Sequence, residues 1–234
     1  MSELKFHPIL FSSPMIRAIL EGRKTQTRRI MRYQPPGDGY TLSRLTDSTA
    51  SEDRRHILKL HWIKMDGLRV LESTNKYFDC PYGFAGDRLW VRETFKIIPW
   101  ANPNKDRIAI IQRNGDSSTI EVPESYKSAM GKLKPSIFMP RWASRILLEV
   151  TSRRPERLQD ITEEDAKAEG MEFHDGMGVG NSGYRHDRNH GVVYDTAKQA
   201  FYTGWEKING KRGSWKTNPM VWVVSFKVIK GEKL

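Results

Sequence analysis

The 234-residue sequence lacks three things: a cysteine framework, long apolar runs and an excess of acidic residues. Its single cysteine, Cys80, excludes an internal disulfide framework and a cysteine-based zinc site, which fits a reducing compartment. No stretch approaches the roughly 20 apolar residues of a membrane helix, and the apolar run near the amino terminus is shorter than a secretory signal requires. We therefore expect a cytoplasmic protein that makes no use of a membrane.

The charge is strongly basic, because 39 Lys and Arg residues stand against 28 Asp and Glu residues, a net charge of +11. A surplus of this size favours a polyanionic partner, and nucleic acid is the leading candidate, with RNA and DNA both compatible with the charge. The alternative interpretation is that the surplus only keeps the protein soluble. The length is compatible with one enlarged domain or with two small ones.

The clearest local prediction is a helix between Ser13 and Gly22. Ser13 is suited to the N-cap and Pro14 to the first helical position, while Gly22 can end the helix. The apolar stripe at helical spacing consists of Ile16, Ile19 and Leu20. The helix therefore ends where a basic segment begins.

Two more helices are predicted, at residues 162–168 and 196–208. Thr162 and Asp165 form a capping-box arrangement at the start of the first of these. The second is expected to end at Asn209-Gly210. Between the two, residues 174–190 are rich in Gly, Asn and charge without periodicity, which favours a mobile loop.

Alternating and β-branched stretches predict several short strands. Asp66-Gly67 favours a type I′ hairpin turn between residues 57–65 and 68–71, which we interpret as an insertion or an edge extension, and Asn114-Gly115 favours a second hairpin. GDRLWVRETF predicts a turn into a core strand, residues 146–151 a short strand, and MVWVVSFKV a central strand. Several short strands with few helices indicate a mixed α+β protein whose sheet closes into a barrel.

The segment most indicative of function is GRKTQTRR at residues 22–29, which directly follows the first helix. Six basic residues lie between Arg17 and Arg32 with only Glu21 opposing them, and this charge fits a phosphate ligand. The alternative interpretation is a solvated, charged connection. The residues expected to contact phosphate are Arg23, Arg28 and Arg29.

Within this segment, Lys24 and Thr27 are three residues apart. That separation places them on opposite faces of a regular strand, but a turn or bulge can bring them together. A lysine crowded by Arg23, Arg28 and Arg29 has its charged form disfavoured, and a neutral lysine can take a proton from a hydroxyl. The pair therefore fits nucleophilic chemistry if the backbone there is irregular.

Four stretches resemble, in the same order, landmarks of the ASCH domain family, whose fold is a PUA-like β-barrel with a cleft. They are PILFSSPMIRAILEGRKTQTRRI, GDRLWVRETF, LQDITEEDAKAEGM and VWVVSFKVI. The family pattern of a glycine, a nearby lysine and a later basic residue is met by Gly22, Lys24 and Arg29. The chain resembles the long ASCH proteins of bacteriophages and prophages. The resemblance implies an α+β PUA-like barrel, RNA, a nucleoside or a nucleotide as ligand, and a bacterial host cell as location.

One branch of the family, the bacterial amidohydrolases that remove the acetyl group from N4-acetylcytidine, can be compared site by site. Its pattern of lysine, two residues and threonine is met by Lys24 and Thr27, and its glutamate falls on Glu169. The resemblance implies Thr27 as nucleophile, Lys24 as general base, and Glu169 as the group that positions substrate or shuttles a proton. It also implies that Arg29 holds the substrate or the oxyanion, and it implies no cofactor.

The chain departs from those amidohydrolases, which are much shorter. Regions near 33–80, 99–133 and 172–194 have no counterpart there, and we predict them to be insertions in a single domain spanning residues 1–234. An apolar residue of their motif is replaced by Arg28, which favours a more anionic ligand such as a nucleotide or a strand. For Glu169, the alternative interpretation is an ordinary surface residue at a helix end.

Arg141, Trp142 and Arg145 form a second candidate contact with nucleic acid, because a tryptophan can stack on a base while arginines hold phosphates. The alternative is that Trp142 packs in the core. The histidines of residues 174–190 have an unspecific spacing, so no metal site is predicted.

Three functions fit these residues. The first is hydrolysis of an acylated nucleobase amine, and the second is non-catalytic nucleic-acid binding through the same basic residues. The third is a ribonuclease, in which Lys24 stabilises a phosphorane and Glu169 acts as base.

Overall fold

The computed structural model of the protein describes residues 4–45, 59–74, 76–99, 108–113, 116–129, 131–176, 181–187 and 192–229. Within them, the α-helices are α1 (Ser13–Leu20), α2 (Glu163–Ala168) and α3 (Ala197–Gly213). Short 3-10 helices span Glu124–Ala129, Ser136–Phe138, Arg141–Ala143, Leu158–Asp160 and Trp215–Thr217. The strands are β1 (Phe6–Leu10), β2 (Gln26–Ile30), β3 (Tyr40–Leu45), β4 (Lys59–Asp66), β5 (Arg69–Ser73), β6 (Arg88–Arg92), β7 (Phe95–Pro99), β8 (Ile108–Arg113), β9 (Asp116–Glu121), β10 (Leu133–Lys134), β11 (Leu147–Arg157), β12 (Glu172–His174), β13 (Gly183–Arg185) and β14 (Met220–Ile229).

The described strands form four sheets. The largest has the order β1-β6-β11-β14-β2, in which β1 and β6 are parallel and the other pairs antiparallel. The others have the orders β10-β7-β8-β9, β3-β4-β5 and β12-β13. The protein is therefore mixed α+β, as predicted, and β14 is a central strand, also as predicted.

The predicted closed barrel is not found among the described residues, because the largest sheet is covered on both faces instead of closing around one interior. Trp222 and Val224 of β14 pack on one face in a cluster that includes Trp62 of β4 and residues of α1. Val221 and Val223 pack on the other face in a cluster with residues of α2 and α3. A strand buried on both faces fits an open, layered sheet.

The start of α1 differs from the prediction by one residue. Its N-cap is Ser12, whose side chain makes no capping hydrogen bond, so the assignment of Ser13 as N-cap is wrong. Pro14 lies in the first turn, where its missing N–H costs no intrahelical hydrogen bond. Leu20 of the predicted apolar stripe is 54% exposed and does not belong to the core.

The two later helices begin where the sequence predicts. The side chain of Thr162 caps α2 by accepting a hydrogen bond from the backbone N–H of Asp165 at 3.1 Å. The predicted end of α3 at Asn209-Gly210 is wrong, since the helix continues to Gly213. The indole Nε1 of Trp205 donates to the carbonyl of Gly213 at 2.8 Å, which holds this last turn despite its glycines.

The hairpin of β4 and β5 has a different turn from the predicted one. Asp66 pairs with Arg69, so the two turn residues are Gly67 and Leu68. Of these, Gly67 has a positive φ of 55° and Leu68 does not, whereas a type I′ turn needs positive φ at both positions. The predicted type I′ turn at Asp66-Gly67 is therefore wrong.

Two further predictions concern segments that are only partly described. β8 pairs with β9 as predicted, but the turn at Asn114-Gly115 lies outside the described residues. The predicted loop at residues 174–190 is wrong at His174 and at residues 183–185, because β12 and β13 pair there as antiparallel strands. In the described part of the chain, the helices are all too short or too polar to cross a membrane.

Candidate active site

The candidate site is formed where α1 and α2 end. The N–H of Gly22 donates to the carbonyl of Ile19 at 3.0 Å, and the N–H of Arg23 donates to the carbonyl of Ala18 at 2.9 Å. With φ of 76° at Gly22, this is a Schellman ending, which the glycine makes possible. The N–H of Lys24 also donates to Ala18, at 3.0 Å, so the helix end fixes the backbone of Lys24.

A second glycine allows α2 to approach this turn. Gly170 has φ of 99°, and a Cβ there would lie 3.0 Å from the Cβ of Ala18 and 3.1 Å from the Cβ of Lys24. Both the backbone conformation and the space favour glycine. The two helix ends are therefore in direct contact at Gly170.

Backbone and side-chain hydrogen bonds join the two ends. Lys24 and Glu169 form an antiparallel bridge, and the N–H of Thr25 donates to the carbonyl of Ala168 at 2.9 Å. The guanidinium of Arg23 donates to the carbonyl of Gly170 at 2.8 Å and also pairs with Glu21. Arg23, predicted to contact phosphate, thus helps to hold the ends of α1 and α2 together.

Lys24 and Glu169 form a buried ion pair. The Nζ of Lys24 lies 2.6 Å from Oε2 of Glu169 and 2.8 Å from its carbonyl oxygen, and the two residues are 1% and 4% exposed. Burial lowers the pKa of Lys24, and although Glu169 opposes the shift, Arg29 and Arg28 reinforce it. The alternative interpretation of Glu169 as a surface residue is wrong.

Arg28 is the hub of an internal ion network. Its fully buried guanidinium lies 2.7 Å from Glu156, 2.7 Å from Asp165 and 3.4 Å from Glu169. Burial works against its charge, but these three carboxylates outweigh burial and raise the pKa of Arg28. Arg154 binds two of the same carboxylates from the exposed side. The charge of Arg28 is therefore neutralised within the protein.

Thr27 and Arg29 lie on the opposite face of β2 from Arg28, because side chains alternate along a strand. The guanidinium of Arg29 lies 5.0 Å from the ring centroid of Phe11 and donates to the carbonyl of Leu10. Burial lowers the pKa of Arg29. The Nζ of Lys24 is 5.7 Å from the same ring, and its partner Glu169 also lies 3.4 Å from Arg28 on the other face of β2.

The irregular backbone that the sequence required is present, because Lys24 precedes β2 and follows the Schellman turn. Lys24 therefore lies outside the strand, and the alternation of side chains that would separate it from Thr27 does not apply to it. Both residues are buried, since Thr27 is 3% exposed and Lys24 is 1% exposed.

A cleft of about 1100 Å³ opens beside this ion pair. β2 forms its floor, the β1–α1 segment one wall and α3 the other. Thr27 and Glu169 both line it, together with Arg28, Arg29 and Phe11. The hydroxyl of Thr27 makes no hydrogen bond to any residue that the structure describes. Thr27 therefore presents an uncommitted hydroxyl in the cleft.

The second candidate group lies elsewhere, since Arg141, Trp142 and Arg145 are not among the residues that line this cleft. Arg145 pairs with the buried Glu93 at 3.0 Å, and the guanidinium of Arg141 lies 3.4 Å from the ring centroid of Phe6. Trp142 is partly buried against a separate core cluster that includes residues of β7 and β8. The three side chains thus take part in packing and ion pairing, and their contact with nucleic acid stays a prediction.

Several residues of the site carried no local sequence signal. Glu156 and Asp165 approach Arg28 across 128 and 137 residues, so their partnership is decided by packing alone. Phe11 was likewise not predicted. No group of three potential metal ligands occurs among the described residues, and His190 is outside them.

Comparison of the chain with protein-family models, with curated proteins and with solved structures gives no match.

Proposed function

We propose that the protein belongs to the ASCH family and hydrolyses the acyl group from the exocyclic amine of a modified nucleobase, with N4-acetylcytidine as the model substrate. The observation that carries this proposal is the buried pair of Lys24 and Glu169, 2.6 Å apart, beside a cleft that Thr27 lines. A buried lysine, an uncommitted hydroxyl and a large cleft are the parts that acyl transfer requires.

The hydrogen bonds of Lys24 support its role as general base. A neutral lysine has two N–H groups and one lone pair. Both donors are used by Glu169, one by its carboxylate and one by its carbonyl oxygen. The lone pair is therefore the remaining position, and because burial lowers the pKa of Lys24, this neutral form is reached at a lower pH than in an ordinary lysine.

In the proposed acylation step, the Oγ of Thr27 attacks the acyl carbon and the hydroxyl proton passes to Lys24. The amide C–N bond then breaks as Lys24 delivers that proton to the leaving amine, and an acyl ester of Thr27 remains. Arg29, held against Phe11, contacts the substrate carbonyl and stabilises its developing negative charge.

In the proposed second step, water attacks the ester carbon. Lys24 accepts a proton from this water and returns it to the Oγ of Thr27 as the ester bond breaks, which releases the carboxylic acid. Glu169 keeps Lys24 oriented in both steps and is a positioning residue in this scheme.

The direct test is deacetylation of N4-acetylcytidine, followed by chromatographic separation of cytidine. We expect turnover by the wild-type protein and a loss of roughly 10²–10⁴-fold in Lys24→Met, the range typical of a removed general base. The matched control is Lys227→Met, which breaks an exposed Lys–Glu pair with Glu149 and should retain wild-type turnover, because neither residue lines the cleft.

Two other outcomes decide against the proposal. Salt-sensitive RNA binding without deacetylation would identify a non-catalytic binding module. Degradation of unstructured RNA that survives Thr27→Ala but not Lys24→Ala would identify a ribonuclease.

The pH dependence gives an independent prediction. Because the neutral form of Lys24 is the active one, kcat/KM should rise about tenfold per pH unit until the pKa of Lys24 is reached, and then level off. Since burial lowers this pKa below 10.5, the plateau should begin at a lower pH than for an ordinary lysine. Removing a neighbouring positive charge by Arg29→Gln should move the rise to higher pH. A rise at the same pH in that variant would show that another group controls it.

A further inference from the structure

The cleft continues well beyond the Lys24–Glu169 pair. Its volume of about 1100 Å³ exceeds the roughly 300–1,000 Å³ of ordinary small-molecule sites. From Thr27 to the end of β2 at Ile30 is about 10 Å at the usual rise of a strand. A single nucleobase bound at Thr27 would therefore leave the α3 end of the cleft unfilled.

The two ends of the cleft differ in charge balance. Five basic residues line it against two acidic ones, Glu169 and Asp187. Two of the five are already bonded to protein groups, since Arg28 is buried among carboxylates and the partly buried Arg29 donates to the carbonyl of Leu10. The other three are exposed and form no ion pair with any residue that the structure describes: Arg32, Lys207 and Arg212.

Packing holds these three cations at one end. A Cβ at Gly213 would lie only 2.8 Å from Cδ1 of Ile30, so the last turn of α3 is pressed against the end of β2. Arg212 directly precedes Gly213, and Arg32 lies two residues after Ile30. The two arginines are therefore brought to the same end of the cleft, with Lys207 one and a half turns earlier on the α3 wall.

We infer that Arg32, Lys207 and Arg212 form a phosphate-binding subsite, and that the substrate is an acylated nucleotide within a single-stranded nucleic acid. This inference rests on the proposed function for the chemistry at Thr27. Exposed arginine and lysine side chains beside a long groove bind a phosphodiester backbone, while the modified base occupies the far end at Thr27.

The experiment compares kcat/KM for N4-acetylcytidine with kcat/KM for a short single-stranded RNA that carries one internal N4-acetylcytidine, and with the DNA counterpart. The wild type should prefer the oligonucleotide by at least about tenfold, and Lys207→Gln/Arg212→Gln should lower that ratio by a similar factor, mainly through KM. In a plot of the logarithm of the oligonucleotide binding constant against the logarithm of the salt concentration, the slope should become less negative by about 1.4, because two phosphate contacts are lost.

The control is Lys211→Gln/Lys216→Gln, which removes two positive charges from the same part of the chain but from residues that do not line the cleft. It should keep the wild-type preference. Equal efficiency on nucleoside and oligonucleotide would overturn the subsite, as would an equal loss in the control variant. If Lys207→Gln/Arg212→Gln lowers kcat/KM by the same factor for the RNA and the DNA oligonucleotide, the group recognised is the phosphodiester.

Failure of the proposed hydrolysis can be told apart from failure of the subsite. If neither substrate is turned over, binding of a fluorescent single-stranded RNA is measured by anisotropy for the same three proteins. Binding weakened at least about tenfold in Lys207→Gln/Arg212→Gln alone would support the subsite without hydrolysis, whereas equal binding by all three would overturn it.

Discussion

Thr27→Val should lower kcat/KM for deacetylation by roughly a thousandfold or more while leaving the free energy of unfolding almost unchanged. The substitution removes the proposed nucleophile but keeps the β-branched shape that suits a strand. In β2, Thr27 pairs with Val224 and its hydroxyl has no hydrogen-bond partner among the described residues. A poorly solvated hydroxyl without such a partner contributes little to stability, so its removal should be tolerated.

Two matched variants separate the nucleophile from general effects of the substitution. Thr27→Ser keeps a hydroxyl and should retain measurable turnover. Thr25→Val makes the same chemical change two residues away, at an exposed position that does not line the cleft, and should behave as wild type. Wild-type activity in Thr27→Val would show that Thr27 only packs, and acylation through this residue would be abandoned.

Arg28→Met should destabilise the fold by about 3–5 kcal/mol, the range seen when one partner of a buried ion pair is removed. Its guanidinium is the group that Glu156, Asp165 and Glu169 share. Without this guanidinium, Glu169 would still pair with Lys24. Glu156 and Asp165, however, would lose the only fully buried cation that contacts them among the described residues. Urea unfolding at neutral pH measures the loss.

Arg154→Met is the natural comparison, because Arg154 contacts Glu156 and Asp165 as well but has a side chain that is 44% exposed. An exposed pair contributes only about 0–1 kcal/mol, so this variant should lose little. Equal losses in both variants would show that burial of Arg28 does not set the strength of the network.

The difference between wild type and Arg28→Met should also depend on pH. Burial alone would raise the pKa of Asp165. Hydrogen bonds from Gln26 and Arg28 and the charges of the nearby arginines outweigh burial and lower this pKa. A carboxylate with a lowered pKa stabilises the folded state above its unfolded pKa, and this contribution is lost as the pH falls through the folded pKa. The gap between the two proteins should therefore be widest near neutral pH and narrow below about pH 3.8.

The local elements were largely predictable. The end of α1 at Gly22 and the cap of α2 at Thr162 follow from backbone requirements that single residues satisfy. β14 was predicted from its β-branched and aromatic residues. The wrong predictions concern features that depend on contacts between several residues. The pairing register of β4 and β5 places the turn at Gly67-Leu68, and the hydrogen bond from Trp205 extends α3 to Gly213.

The candidate site was predicted only in part. The chain around Lys24 is basic, and its sequence does not show which charges are neutralised internally. Arg23 and Arg28, predicted to contact phosphate, bond within the protein to Gly170 and to three carboxylates, respectively. Lys207 gave no signal at all, because its position on the cleft wall depends on how α3 packs on β2.

The sequence by itself determined where α1 ends, where α2 and α3 begin, and that a basic segment follows α1, because glycines and capping residues act on their immediate neighbours. Only the tertiary structure decided that Lys24 meets Glu169 across 145 residues, that the guanidinium of Arg28 is buried among three carboxylates, and that the sheet is layered. Such pairings depend on the close contact of two helix ends at Gly170, which no local pattern encodes.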